Sequence, residues 1–207
     1  MRKLVLASGN PGKLREFRQM LSPLGYEVVP QGELGITDAD EPYVTFVENA
    51  LAKARHASRL ARTPAFADDS GICVAALRGE PGVHSARYAG PPGPGEAADR
   101  EAQDERNNAK LLRALGDGDR LAHYYCVIVL VRHAEDPEPL IAEGRWHGEV
   151  MFEPRGSNGF GYDPYFYVQA LGRTAAELDA DEKNAVSHRG RALKQLVARL
   201  IEDPEWA

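Results

Sequence analysis

Apolar positions change their period along this chain, and the changes mark the elements. Leu4-Val5-Leu6-Ala7 is an unbroken apolar run, so Lys3 to Ala7 is predicted as a short strand. Ser8-Gly9-Asn10-Pro11-Gly12 carries turn chemistry. Leu14, Phe17, Leu21 and Leu24 then recur at helical spacing, with Met20 beside them. The chain therefore opens as strand, glycine loop, helix. Tyr26 to Val29 reads as a second strand, and Gly32 to Pro42 is acidic and turn-rich. The clearest helix spans Val44 to Arg62, with Val44, Val47, Leu51, Ala54 and Ala61 on one face and Thr63-Pro64 stopping it.

Ala65-Phe66-Ala67 enters a strand, which Asp68-Asp69-Ser70-Gly71 is expected to interrupt before Ile72 to Leu77 resumes apolar character. Gly90 to Gly95 reads as a mobile loop rather than a domain boundary. Glu101 to Leu115 is a helix, and Ala122 to Val131, rich in Tyr, Val and Ile, a long strand. Pro139 to Ala142 and Arg145 to Phe152 are expected to pair with it as a meander. A second glycine loop covers Gly156 to Pro164. Ser187 is placed to cap a last helix to Ile201, with Leu193, Leu196, Val197 and Leu200 inward. Strands and helices mix, so the class is α/β or mixed α+β. At 207 residues without internal repeat, one domain over 1–207 is expected.

Composition adds exclusions. With 43% hydrophobic and 27% charged residues the chain is neither disordered nor fibrous. Its net charge of -6 lacks the basic excess of proteins that hold nucleic acid through its phosphates. The longest apolar stretch, Tyr124 to Val131, is far short of the about 20 residues of a spanning helix. The run after Arg2 and Lys3 is too short for a signal peptide, so a cytoplasmic location, with no membrane and no nucleic-acid partner, is expected. Cys73 and Cys126 sit in apolar runs without zinc spacing and read as buried reduced thiols.

Five constellations remain. In Ser8-Gly9-Asn10-Pro11-Gly12-Lys13, glycines, a helix N-terminus and a lysine suit an anion, although the string is not a Walker A loop and equally describes a plain turn. Asp68-Asp69 ends an apolar strand, where carboxylates are costly unless exposed or bound. Adjacent strand residues point to opposite faces, so one of the pair should serve a site as hard-cation ligand or general base. Glu48, Asn49 and Lys53 on a helix, and Glu41 before it, taken alone describe a solvated surface. Phe160-Gly161-Tyr162-Asp163 offers an aromatic for stacking and a carboxylate for ring N–H groups. Lys183 with Ser187-His188-Arg189 could donate to carbonyl oxygens or merely cap a helix.

Taken in order, these strings resemble the inosine/xanthosine triphosphate pyrophosphatase family, the Ham1-like or RdgB-like house-cleaning enzymes. The resemblance rests on Ser8 to Lys13, on Thr45-Phe46-Val47-Glu48-Asn49-Ala50 with Lys53-Ala54, and on Ala67 to Gly71. It continues through Pro81 to Tyr88, Gly159 to Pro164, and Lys183 with Ser187 to Gly190, covering Lys3 to about Leu200. It implies an elongated mixed sheet flanked by helices, two lobes with a nucleotide cleft between them, a homodimer and Mg²⁺. The implied reaction hydrolyses ITP, dITP and XTP to the monophosphate and pyrophosphate. Carried over by position, Ser8, Gly9, Asn10, Pro11, Gly12, Lys13 and Lys53 are the triphosphate grip, and Ser70 is a substrate contact. Asp69 is the metal-linked catalytic base, and Glu41 a further metal ligand. Phe160, Gly161, Tyr162, Asp163, Lys183, His188 and Arg189 are the base-recognition set. The loop Gly90 to Gly95 is unusually rich in Pro and Gly for that family. Three rivals are a Maf-type pyrophosphatase, opposed by the Phe-Gly-Tyr-Asp and Ser-His-Arg strings, a nucleotide sensor, opposed by Asp69 and the acidic loop, and a nucleic-acid module, opposed by the lack of a basic face.

Overall fold

A computed structural model describes residues 2–93 and 99–203. Pro94 and Gly95, part of the loop singled out in the sequence, lie outside the described residues. The fold is mixed α/β. Seven strands form one open sheet in the order β2-β1-β3-β4-β5-β6-β7. The chain divides into two compact units, one of Met1–Asp69, Cys126–Gly144 and Arg189–Ala207, the other of Ser70–Tyr125 and Arg145–His188.

In the first unit, β1 (Arg2–Leu6), α1 (Pro11–Leu21) and β2 (Tyr26–Pro30) form a parallel β-α-β arrangement, with Leu4 opposite Val28. β1 also pairs in parallel with β3 (Ala65–Val74). Asn10 caps α1, its side chain accepting from the Gly12 and Lys13 N–H groups at 2.8 and 3.3 Å. That satisfies two of the donors every helix start leaves orphaned, and Pro11 needs no acceptor. Phe17 and Leu21 turn inward, with Phe17 edge-on to Phe66 at 4.8 Å. Leu193, Leu196 and Leu200 of the last helix, α5 (His188–Glu202), join the same core, with Val197 packed against it.

α2 (Phe46–Ala61) begins two residues later than the apolar spacing predicts. Thr45 is its cap, accepting from the Glu48 N–H, so Val44 lies before the helix and is 84% exposed. The buried face is Asn49, Ala50, Ala54, Ala57 and Ser58 rather than the larger apolar side chains. Asn49 turns inward because its amide serves the backbone of Tyr43, donating to the carbonyl and accepting from the N–H.

The expected interruption at Asp68 to Gly71 is absent: β3 runs unbroken from Ala65 to Val74. A carboxylate within a buried strand is tolerated here because Asp68 is paired on arrival, as described below. Gly71 is needed inside this strand, since a Cβ there would collide with the Gly82 carbonyl and the Ser85 hydroxyl. Ser85 Oγ accepts from the Ile72 N–H at 2.9 Å.

The second unit has its own core, with Ile72, Val74, Leu111, Tyr124, Trp146, Tyr162 and Phe166 among its members. α3 (Arg100–Leu115) is capped by Asp99, and β4 spans Leu121–Val131. β5 (Leu140–Val150) is one strand where two segments were predicted, because Glu143-Gly144 continues in register instead of turning. β6 (Phe166–Val168) and β7 (Arg173–Thr174) add antiparallel partners too short to show a period. α4 (Ala180–Val186) starts with a capping box of Asp179 and Glu182. Both cysteines are free: Cys126 is buried and its thiol pushed up to about 12 by burial and the nearby Asp68, whereas Cys73 is only half-buried. Among the described residues no helix is long and apolar enough to cross a membrane.

Candidate active site

Strand alternation sends the two neighbouring aspartates of β3 to different partners. Asp68 is 1% exposed, with Lys13 Nζ at 2.8 Å from Oδ1 and Arg189 Nε at 3.4 Å from Oδ2. Burial acts to raise this carboxyl, but Lys13 and Arg189 outweigh it and hold Asp68 well below the usual carboxylate range. Asp68 is therefore a fixed anion between two cations and is not suited to exchange protons near neutrality.

Asp69 has the opposite character. Lys53 Nζ lies 3.3 Å from its Oδ1 and the Asn49 amide 3.5 Å from its Oδ2. Burial, together with the neighbouring Glu41 and Asp68 carboxylates, holds it above the ordinary value despite Lys53. Two adjacent carboxyls pushed in opposite directions form an arrangement that separates an electrostatic anchor from a proton acceptor.

Lys53 ties Glu41 to this cluster, its Nζ 2.6 Å from Glu41 Oε1. Burial lowers the ammonium, but Asp69 and the Glu41 hydrogen bond more than offset it, so Lys53 is raised and stays charged. The acidic loop that looks solvated in the sequence thus delivers a carboxylate to the helix lysine. Glu41 and Asp69 both meet the Lys53 ammonium with hard oxygen donors, the donor type magnesium takes. Among the described residues no group of three or more His, Cys, Asp and Glu side chains is arranged to hold a metal ion. A pair of carboxylates still fits Mg²⁺, which is commonly held by one or two carboxylates with substrate phosphates and water completing the shell.

The Ser8 to Lys13 loop is held by its own hydrogen bonds. Ser8 Oγ accepts from the Asn10 N–H at 3.2 Å, and the Gly12 and Lys13 N–H groups are taken by Asn10. The loop's charge is carried by Lys13, while a Cβ on Gly9 would meet nothing within 4 Å, leaving that backbone approachable. Ser70 follows on β3 and is half-buried.

In the second unit, Phe160 to Asp163 forms a tight turn around the Asp163 carboxylate. Its Oδ2 accepts the Phe160 N–H at 2.8 Å and pairs with Lys183, and its Oδ1 accepts the Tyr124 hydroxyl at 3.2 Å. Gly159, at φ +77°, must be glycine, since a Cβ would strike that carboxylate. The Gly161 N–H donates to Asp104 at 2.8 Å, and the Tyr162 hydroxyl to the Ser85 carbonyl at 2.8 Å. Phe160 is left 46% exposed. The ring of His188 stacks on Tyr124 at 4.7 Å and 11°.

Of the proposed base-recognition residues, Phe160, Gly161, Tyr162, Asp163, Lys183 and His188 are thus connected through Asp163 and Tyr124. Arg189 is placed otherwise: its guanidinium reaches Asp68, and Glu16 at 3.6 Å, in the first unit. Tyr124, Asp104 and Arg100 were missed in the sequence. The first lies within the predicted long strand, Asp104 within the predicted helix and Arg100 just before it, none of them in a string that stood out.

Residues 4–199 match the Ham1 family. The chain is 65% identical over 201 residues to a dITP/XTP pyrophosphatase of Ralstonia nicotianae, covering 97% of both chains. It is 64% identical to one of Burkholderia pseudomallei, covering 97% of this chain and 94% of that one. The solved HAM1 protein from Coxiella burnetii superposes with a TM-score of 0.90 at 50% identity, over 98% of this chain and 100% of that one. At these identities and over this length, the chain belongs to the Ham1 family.

Proposed function

We propose that the chain is a nucleoside-triphosphate pyrophosphatase, hydrolysing the non-standard purine nucleotides ITP, dITP and XTP to the monophosphate and pyrophosphate and so clearing them from the nucleotide pool. The observation that carries the reading is the Glu41–Lys53–Asp69 cluster, with Lys13 on the neighbouring Asp68, in a chain so similar to enzymes named dITP/XTP pyrophosphatases.

In this reading Ser8 to Lys13 and Lys53 bind the triphosphate, and Ser70 contacts substrate. Glu41 and Asp69 would hold Mg²⁺, which supplies charge neutralisation on the phosphate oxygens. Asp69 takes a proton from a water as that water's oxygen bonds to the α-phosphorus. The bond from the α-phosphorus to the bridging oxygen breaks, and pyrophosphate leaves with that electron pair. Burial keeps Asp69 a better proton acceptor than an ordinary aspartate, while Lys53 holds it in place.

The purine is read by Phe160 to Asp163, Lys183, His188 and Arg189. Hypoxanthine and xanthine have an acceptor oxygen at position 6, where adenine has an amino donor. His188 as a donor matches the oxygen, and adenine would set donor against donor, while Arg189 enters this set by the resemblance alone, its guanidinium being held at Asp68. A homodimer in the cytoplasm, without nucleic-acid partners, belongs to the same proposal.

The test is a panel of ITP, dITP, XTP, ATP and GTP with Mg²⁺, scored for pyrophosphate and orthophosphate. The expected products are monophosphate and pyrophosphate, with ITP and XTP well ahead of ATP. Stoichiometric orthophosphate with a diphosphate product sinks the proposed cleavage point.

The lysines offer a second check. A hydrogen bond to a charged partner contributes about 1.5–3 kcal/mol, so Lys13→Ala and Lys53→Ala should each weaken binding of a non-hydrolysable ITP analogue by roughly ten- to a hundred-fold. Calorimetry should find smaller losses for IMP. Equal losses for both ligands would remove the lysines from the phosphate site.

A further inference from the structure

Phe160 does not stand alone at the surface. The Arg100 guanidinium lies over its ring, 4.5 Å from the centroid, and Lys183 Nζ is 5.0 Å from the same centroid. Arg100 is the first residue of α3, exposed, and outside every string that carries the family resemblance. A planar base brought to Phe160 approaches a ring that both cations already neighbour.

Among the described residues, the charged groups around this ring come from three elements. α3 contributes Arg100 over the ring and Asp104, which accepts the Gly161 N–H. α4 contributes Lys183, and the loop itself contributes Asp163, with which Lys183 is paired. Lys183 is therefore offset locally by Asp163. The Arg100 charge lies over the ring face and is the one a stacked base meets.

The two oxopurines differ in how they answer such a charge. Xanthine has a carbonyl at position 2 as well as at position 6, so the charge left by loss of a ring proton is shared over two oxygens and its nucleotide ionises near neutral pH. Hypoxanthine, with one carbonyl, is still neutral there. A fixed cation next to the base favours the ring that carries the negative charge.

We propose that Arg100 is a specificity residue that makes the Phe160 platform favour an anionic oxopurine, and so tilts the enzyme toward XTP over ITP once xanthine has lost its proton. This rests on the reading of Phe160 as the surface that stacks the base. It adds a residue to that reading and assigns it a task that stacking alone does not perform.

The experiment measures kcat/KM for XTP and ITP in wild type, Arg100→Gln, Arg100→Lys and Phe160→Ala, at neutral pH and at a pH low enough to protonate xanthine. A half-exposed cation–ring contact is worth a few-fold, so Arg100→Gln should lower the XTP-to-ITP ratio by about two- to five-fold at neutral pH. Arg100→Lys should restore most of it. At the lower pH the wild-type and Arg100→Gln ratios should converge. Phe160→Ala should reduce turnover of both substrates. An unchanged ratio in Arg100→Gln, with Phe160→Ala impaired, overturns the role of Arg100 and leaves the platform standing. A ratio that falls equally at both pH values also overturns it, since recognition of the 2-oxygen rather than of charge would then be at work. If Phe160→Ala acts on both nucleotides like wild type, the platform itself is wrong and the proposal falls with it.

Discussion

Asp69→Asn should lower kcat for ITP by about 10²–10⁴-fold, the usual contribution of a positioned general base. The substitution is close to isosteric, and the amide oxygen still accepts from Lys53 Nζ, 3.3 Å from Oδ1 in the native side chain. What it removes is the carboxylate that burial and the Glu41 and Asp68 charges hold above its ordinary value. A neutral amide at this position loses no favourable burial, so thermal stability should stay within a few degrees of wild type. The variant should also need more Mg²⁺ for half-maximal activity, because one of two oxygen donors has lost its charge. A stopped assay for pyrophosphate, run against Mg²⁺ concentration beside a melting curve, measures all three. Near-normal turnover in a folded variant would remove Asp69 from the chemical step.

Much of this site was legible because its parts are local. Strand, loop and helix over Lys3 to Leu21 follow from the change of apolar period and from the Asn-Pro-Gly turn, and Asn10 caps the helix as its type predicts. The opposite fates of Asp68 and Asp69 follow from strand alternation alone. Two of the errors share one cause, which is pairing between positions distant in sequence. β3 looks broken at Asp68 unless Lys13 and Arg189, 55 and 121 positions away, are known to meet the carboxylate. Glu41 looks solvated until Lys53 is seen to reach it. β5 looks like two segments because Glu143-Gly144 breaks the apolar pattern without breaking the strand. On α2 the largest apolar side chains were assigned to the buried face, where Asn49 and a row of alanines lie instead. Small residues leave the helix face narrow, and a buried amide is acceptable because its donors and acceptor are all used.

Asp68→Asn should fail in the other way, by loss of stability more than of chemistry. Asp68 sits between Lys13 and Arg189 with its side chain wholly buried, and the Arg189 side chain is itself only 9% exposed. An amide of the same shape keeps the volume but removes the charge that Lys13 pairs with. It leaves Arg189 with the more distant Glu16 carboxylate, 3.6 Å away and partly exposed. Breaking a buried pair by neutralising one partner costs about 3–5 kcal/mol, because the remaining charge stays desolvated. For a chain of this size each kcal/mol moves Tm by roughly 2–4 °C, so a fall on the order of 10 °C is expected. Turnover per folded molecule, measured well below the new Tm, should drop less than in Asp69→Asn, since Asp68 is held ionised by its partners and takes no proton in the reaction. Asp68→Leu separates the two contributions: it removes the polar group as well as the charge that faces Lys13 and Arg189, and should be less stable than Asp68→Asn. Lys13→Met combined with Asp68→Leu should recover part of that loss, because one of the stranded charges is then gone. A melting temperature unchanged in Asp68→Asn would mean that the carboxylate is not the anchor of this part of β3. A larger loss of kcat than in Asp69→Asn, with Tm preserved, would exchange the roles of the two aspartates.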